Sequence, residues 1–331
     1  MVETLKTVMA RYARACDIEV ERYLEAGEQP RLKAAMRWIP MAGGKRLRPV
    51  LAMMVGEAVG GARGARAALP VGIALELIHN FTLVHDDIMD RSDLRRNRRT
   101  VHKKWDPSTA INAGDALFAR AFEVLQDTPS ADGVKVEVFG EVARMVRRIA
   151  EGQQWDMQFE SARSVSRAQY LKMIELKTAL MFATASYCGA RVGGASRRLA
   201  RHLEEYGRLM GIAFQIQDDL LDLGALESEL GKPIGKDIRN GKRTVMAIEA
   251  LHVLRGRERV EFLGAFGNSH ASKTAVARAV AAMDACGALG RARRLAAQHG
   301  SRARRQLRGV KRGAARDRLD AMVTYVTSRS K

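Results

Sequence analysis

The stretch VGIALELIHNFTLVHDDIMD, residues 71–90, places apolar residues three and four apart until its last turn, where three carboxylates gather. That period belongs to a helix and not to the strict alternation of a half-buried strand. Outward from it the same period recurs over residues 5–24, 48–59, 108–125, 134–159, 167–188, 199–223 and 244–263. The breaks between these runs are short and rich in turn formers: Gly43-Gly44 and residues 59–65, 127–133, 189–196, 231–241 and 267–272. Pro49 suits a first helical turn, where its missing N–H costs nothing. No run combines alternation with Val, Ile and Thr enrichment, so no strand is expected. The sequence predicts a single all-α domain over residues 1–331, built from about a dozen helices.

Composition narrows the function classes. With 331 residues, 47% of them hydrophobic, the chain can bury a sizeable core, which excludes a disordered chain or a disulfide-stapled miniprotein. Cys16, Cys188 and Cys286 form no CxxC pair and suit a reducing cytoplasm. No stretch reaches the roughly 18 apolar residues of a membrane span, and the first ten residues lack a secretory core. The net charge of +19 would suggest nucleic acid, but residues 291–331 hold 13 Lys/Arg against two acids, an excess of +11. Arg-Ala alternation in that segment reads first as a solvated helix face; nucleic acid is not expected, and weak attraction to anionic membrane surfaces is the alternative that the charge leaves open.

Asp86, Asp87 and Asp90 recur in spacing as Asp218, Asp219 and Asp222. Each DDxxD closes a long apolar helical run, and residues four apart share a face. Carboxylates crowded near a helix C-terminus repel one another and oppose the macrodipole, an arrangement that a cation relieves. Hard oxygen ligands with room for water suit Mg²⁺. Cationic segments follow both clusters, Arg95, Arg96, Arg98 and Arg99 after the first, Lys232, Lys236, Lys242 and Arg243 after the second. Two more lie elsewhere: GGKRLRP at residues 43–49, and Lys177-Thr178 inside an apolar helix, where the lysine could equally snorkel to solvent. Carboxylates flanked by Lys and Arg fit a polyanion held partly through metal, and diphosphate is such a ligand.

With these motifs in this order (GGKRLRP, HDDIMD with its Arg pair, KT, FQIQDDLLD, GKPIGKD and a final GK) residues 38–247 resemble the trans-isoprenyl diphosphate synthases. The resemblance implies helices around a deep central cavity, a homodimer, and two aspartate helices facing each other across the cavity mouth. It implies that Asp86, Asp87, Asp90, Asp218, Asp219 and Asp222 hold up to three Mg²⁺ on an allylic diphosphate. Arg95, Lys177 and Lys232 would contact that diphosphate, with Lys242 close by, and Thr178 and Gln215 would lie beside the reacting carbon. Lys45, Arg48, His79 and Arg96 would hold isopentenyl diphosphate. This sequence departs from the family pattern at Asn97 and Arg99, where Gly and Pro are usual. Asn97 can adopt the left-handed turn geometry of Gly, which preserves the loop.

The implied reaction ionises an allylic C–O bond and adds the cation to the alkene of isopentenyl diphosphate. The proton lost afterwards goes to the diphosphate. A class I terpene cyclase would carry an Asn/Asp–Ser/Thr–Glu second motif and has no use for Lys45 and Arg48. A non-catalytic subunit of a heteromeric synthase would have eroded aspartates or no Lys-Thr pair. A helical nucleic-acid binder would leave both acidic clusters unexplained. Phe81 and Thr82 stand five and four residues before Asp86, and Phe81 lies about 7.5 Å below it along the axis. In this family a bulky residue there floors the cavity. One aromatic at that level, with no insertion in DDIMD, is similar to the archaeal-type enzymes that make the C20 geranylgeranyl product, with the C15 farnesyl product as the alternative.

Overall fold

The computed structural model describes residues 3–224 and 235–328. In chain order they form α1 (Leu5–Glu25), α2 (Pro30–Trp38), α3 (Leu47–Ala67), α4 (Leu69–Met89), a hairpin of β1 (Leu94–Arg95) and β2 (Arg98–Arg99), and α5 (Val101–Lys104). Then come α6 (Pro107–Gln126), α7 (Asp132–Ser161), α8 (Arg167–Ile174), a π-helical segment Glu175–Ala179, α9 (Leu180–Val192) and α10 (Arg197–Gly224). Next are α11 (Lys236–Arg239), α12 (Val245–Val253), α13 (Gly256–Leu263), α14 (Lys273–Ala285), α15 (Ala288–Gln306) and α16 (Ala314–Ser328). The protein is all-α, as the periodicity indicates.

Three local departures have clear causes. The break expected over 59–65 is only a kink, because Gly61 at φ 61° bends α3 without ending it. The run 244–263 splits at Leu254-Arg255, where the backbone turns extended and Gly256 takes φ 52°. The two-residue strands were not expected, since four residues of ladder leave no readable alternation.

The chain divides into two compact units. The first comprises Met1–Val146, Met181–Glu204 and Leu307–Ala321. Its central element is α4, which buries Val71, Ile73, Ala74, Leu75, Leu77 and Ile78 against α3 and α6. Each fully buried aliphatic side chain there contributes roughly 1.5–3 kcal/mol. The second comprises Arg147–Leu180, Glu205–Gln306 and Met322–Lys331. Its core gathers Tyr170, Ile216, Met246, Phe262 and Met283 from α8, α10, α12, α13 and α14. On basic α15, Leu289, Ala292, Leu295, Ala296 and Ala303 point inward while Arg293, Arg294, Arg302 and Arg305 stay in solvent. Among the described residues no single helix is long and apolar enough to cross a membrane; α3 and α4 pass that test only as a pair bent by 75°.

Candidate active site

In the first unit, α4 delivers the first aspartate cluster. The helix ends at Met89, and Asp90 caps it, donating its N–H to the Asp86 carbonyl at 2.8 Å. Asp86 is half-buried and Asp90 exposed, one turn apart on one face. Asp87 turns inward. Its Oδ1 accepts Arg95 Nε at 3.0 Å and Nη2 at 2.6 Å, while its buried Oδ2 has no hydrogen-bond partner among the described residues. Burial raises the pKa of Asp87 and Arg95 opposes the rise.

The hairpin places both arginines of the pair. Arg96 (φ 51°) and Asn97 (φ 58°) occupy both central positions of its two-residue turn, the left-handed geometry of a type I′ turn. Asn97 thus does the work of the family's glycine. A left-handed arginine costs roughly 1–2 kcal/mol. Part of that is recovered where Arg96 Nη1 donates to the Ile39 carbonyl at 2.9 Å. The hairpin is further tied down where Trp38 Nε1 donates to the Arg99 carbonyl at 2.7 Å, so Arg99 needs no proline ring.

GGKRLRP forms the other wall. A Cβ on Gly44, which sits at φ 149°, would lie 3.1 Å from both Arg46 Nη1 and Arg96 Nη2, so glycine lets two guanidiniums lie against this backbone. Lys45 is exposed, and Arg48 lies 5.1 Å from the centre of the Phe182 ring. His79 shares this neighbourhood. Burial, followed by the charges of Arg48, Arg96, Arg95 and Arg46, drives its pKa well below the ordinary value and keeps it neutral. Burial also lowers the pKa of Arg96 despite Glu76, and among the described residues Arg96 has no ion-pair partner. Positive charge is in excess here. Between His79 and Asp86 along α4, Phe81 meets His85 edge-on (4.8 Å between centroids) and lies tilted against Phe118 (5.3 Å), and Phe118 continues to Phe122 (5.1 Å). Thr82 is half-buried and donates to the His79 carbonyl at 2.8 Å.

In the second unit, the last turns of α10 carry Asp218, Asp219 and Asp222. Asp218 is exposed. Asp219 is buried, with Oδ2 accepting Tyr170 Oη at 2.6 Å and Oδ1 accepting Gln215 Nε2 at 2.9 Å. Gln215 Oε1 in turn accepts Thr178 Oγ1 at 2.8 Å, which fixes the amide's orientation. Burial raises the Asp219 pKa to about 6 against the pull of Lys242, 3.7 Å away. Burial works against the Lys242 ammonium, but Asp237 at 3.2 Å and Asp219 outweigh it and hold its pKa well above the ordinary value. Asp222 Oδ2 accepts the Asp237 N–H at 3.1 Å. Lys177 sits in the π-helical segment, a register shift common at functional sites. It does not snorkel: its Nζ meets Asp156 Oδ2 at 2.5 Å. Lys232 lies outside the described residues.

The sequence model of the polyprenyl synthetase family matches residues 29–283. The chain belongs to the polyprenyl synthetase family. It is 40% identical over 296 residues to the geranylgeranyl diphosphate synthase of Methanosarcina mazei, covering 89% of each chain. Among solved structures it resembles geranylgeranyl pyrophosphate synthetase from Pyrococcus horikoshii, with a TM-score of 0.90 and 34% identity over 98% of this chain and 99% of that one. A polyprenyl synthase from Caulobacter crescentus, complexed with calcium and isoprenyl diphosphate, is similar with a TM-score of 0.88 and 31% identity over 100% and 99%. Family and fold therefore stand as the motif order implies, and the chain is a trans-prenyltransferase.

Four participants escaped the sequence reading: Asp156, Tyr170, Asp237 and Arg46. Asp156 had a signal in Gly152, one turn earlier in α7. A Cβ on Gly152 would lie 2.5 Å from the Lys177 amide nitrogen, so glycine brings α7 against the π-helical segment and carries Asp156 to Lys177. The donor set suits Mg²⁺, since both clusters offer carboxylate oxygen and, among the described residues, nothing hydrogen-bonds the buried Asp87 Oδ2. No three His, Cys, Asp or Glu side chains among the described residues converge as a closed metal cage. Mg²⁺ does not require one, because water and phosphate oxygens complete its shell.

Proposed function

We propose that the protein condenses isopentenyl diphosphate with an allylic diphosphate (dimethylallyl, geranyl or farnesyl) and makes a short all-trans prenyl diphosphate, geranylgeranyl diphosphate in particular. Asp86, Asp87, Asp90, Asp218, Asp219 and Asp222 would hold Mg²⁺, up to three ions. When bound, Mg²⁺ neutralises charge on the allylic diphosphate as it departs. Arg95, Lys177, Lys232 and Lys242 supply further positive charge to the same group. Thr178 and Gln215, locked to Asp219, present fixed dipoles to the allylic carbon. Lys45, Arg48, His79 and Arg96 hold isopentenyl diphosphate with its alkene aligned for attack. The departing diphosphate takes the proton, so neutral His79 serves as a binder and not as a base.

The observation that carries this reading is the excess of positive charge around His79 and Arg96. A second diphosphate has a place there, and a cyclase, which binds one, would leave it without a ligand. The C20 product is supported by Phe81 within its aromatic cluster and by the names of the relatives from Methanosarcina mazei and Pyrococcus horikoshii. The whole chain would serve one catalytic function, working as a cytoplasmic homodimer. Incubation with labelled isopentenyl diphosphate, each allylic primer and Mg²⁺ tests it: an acid-labile labelled product that EDTA abolishes is expected, and cyclic hydrocarbon formed without isopentenyl diphosphate would overturn it.

A further inference from the structure

A cavity of about 640 Å³ lies within the second unit, and its lining contains none of the aspartates or their hydrogen-bonded partners. Its size falls in the roughly 300–1,000 Å³ of small-molecule sites. Five arginines line it, Arg163, Arg167, Arg243, Arg259 and Arg291, against one acid, Glu249. Glu249 is taken by Arg291 Nε at 2.5 Å. Arg243 donates to the Ala162 carbonyl and lies over the Phe266 ring, and Arg259 donates to the Leu251 carbonyl at 2.6 Å. Carbonyls satisfy hydrogen bonds without neutralising charge, and Arg163 and Arg167 are exposed with no ion pair among the described residues. Arg243 Nε and Arg291 Nη2 are buried without a hydrogen-bond partner there.

The rest of the lining is Ser164, Ser166 and His252 together with six apolar side chains. Leu251, Val253, Leu263 and Phe266 are among the apolar ones, and Leu263 and Val253 are 45% and 47% exposed, with Val260, one turn from Leu263, at 71%. Large aliphatic side chains left in water beside guanidiniums without counter-ions fit a ligand with an anionic head and a hydrocarbon tail.

We propose that this cavity binds a prenyl diphosphate, the chemical class of the product, apart from the aspartate clusters, and that occupancy restrains turnover. The choice of occupant rests on the proposed function; the charge and shape of the cavity do not. Two short paths lead from it to Asp219, each running along the chain and closing on an ion pair or a hydrogen bond. Arg243 adjoins Lys242, which lies 3.7 Å from Asp219, and Arg167 begins the helix whose Tyr170 hydrogen-bonds Asp219.

The test is equilibrium binding of geranylgeranyl thiolodiphosphate, a non-ionising analogue, in EDTA, so that metal-dependent binding at the aspartates is silent. Saturable binding is expected, weakened about tenfold or more by Arg163→Glu with Arg167→Glu and by Leu263→Asp. Both variants change exposed residues, so initial rates without added product should stay within about twofold, while inhibition by added geranylgeranyl diphosphate weakens in parallel. Absence of binding in EDTA, or equal affinity in wild type and both variants, would overturn the proposal. So would capture by phosphatidylglycerol vesicles without binding of the monomeric analogue, which would make the patch a membrane-docking face. Because binding is read without turnover, a failure of the catalytic assignment leaves this result interpretable.

Discussion

Arg46 and Glu76 form an ion pair at 2.7 Å with side chains only 2% and 3% exposed, at the centre of the cation-rich loop. Arg46 also meets Asp17 at 2.6 Å and the Pro40 carbonyl at 2.5 Å, and Glu76 accepts from Asn80 at 3.0 Å. Lys45 and Arg48 are thus held by an arginine between them that faces inward. Removing one partner of a buried pair leaves an uncompensated charge at a cost of roughly 3–5 kcal/mol. Glu76→Ala should cost about 3 kcal/mol, the low end, because Asp17 still neutralises Arg46. Urea denaturation followed by circular dichroism checks this, and a loss below about 1 kcal/mol would show that the pair contributes little.

Asp86→Ala and Asp218→Ala should each lower turnover about a thousandfold, because both remove a carboxylate that acts on charge developing in the transition state. Stability should hold, since relieving carboxylate repulsion at a helix C-terminus does not destabilise the helix. Steady-state kinetics alongside thermal melts separate the two effects. Near-normal turnover in Asp86→Ala would refute its role.

Arg96→Ala should raise KM for isopentenyl diphosphate about tenfold or more and leave that for the allylic primer within about twofold, as one lost charge-assisted contact implies. Arg96 also anchors the hairpin to Ile39, so Arg96→Lys serves as the control. Equal effects on both substrates would mean that the cations around His79 do not form a separate subsite.

Phe81→Ala should lengthen the product. The ring is held between His85 and Phe118, so its removal opens space next to Phe118 and Phe122. Chromatography of dephosphorylated products from wild type and variant gives the answer, and an unchanged chain-length distribution would remove Phe81 as the floor.

His299 ties stability to pH. Burial, with Arg302, Arg208 and Arg167 adding repulsion, lowers its pKa from 6.5 to about 4. Above pH 6.5 the ring is neutral in both folded and unfolded chains. Between that value and about 4 the unfolded chain takes up a proton that the fold resists. The stabilisation is therefore present above the unfolded pKa and is lost as pH falls toward 4. After allowance for solvent screening the loss should be about 2 kcal/mol. Denaturation midpoints measured across that range should slope less in His299→Gln, and parallel slopes would show that other groups carry the acid sensitivity.

The sequence by itself determined the all-α fold, the family and the places of both aspartate clusters. Helical periodicity is local, and a repeated DDxxD between cationic segments constrains its ligand before any packing is known. It also anticipated the left-handed Asn97, because turn geometry depends on one or two residues. What it did not determine is the direction in which a charged side chain points. Arg46 reads like Lys45 and Arg48, yet it turns inward to Glu76, thirty positions away in sequence. Lys177 by its local sequence could equally face solvent or a ligand, until Gly152 brings α7 close enough for Asp156 to reach it. Asp219 reads like Asp218, and only the packing of α8 against α10 brings Tyr170 to it. These partners lie 21 to 49 residues apart. Burial and long-range pairing set their charges, and both exist only once the chain has folded.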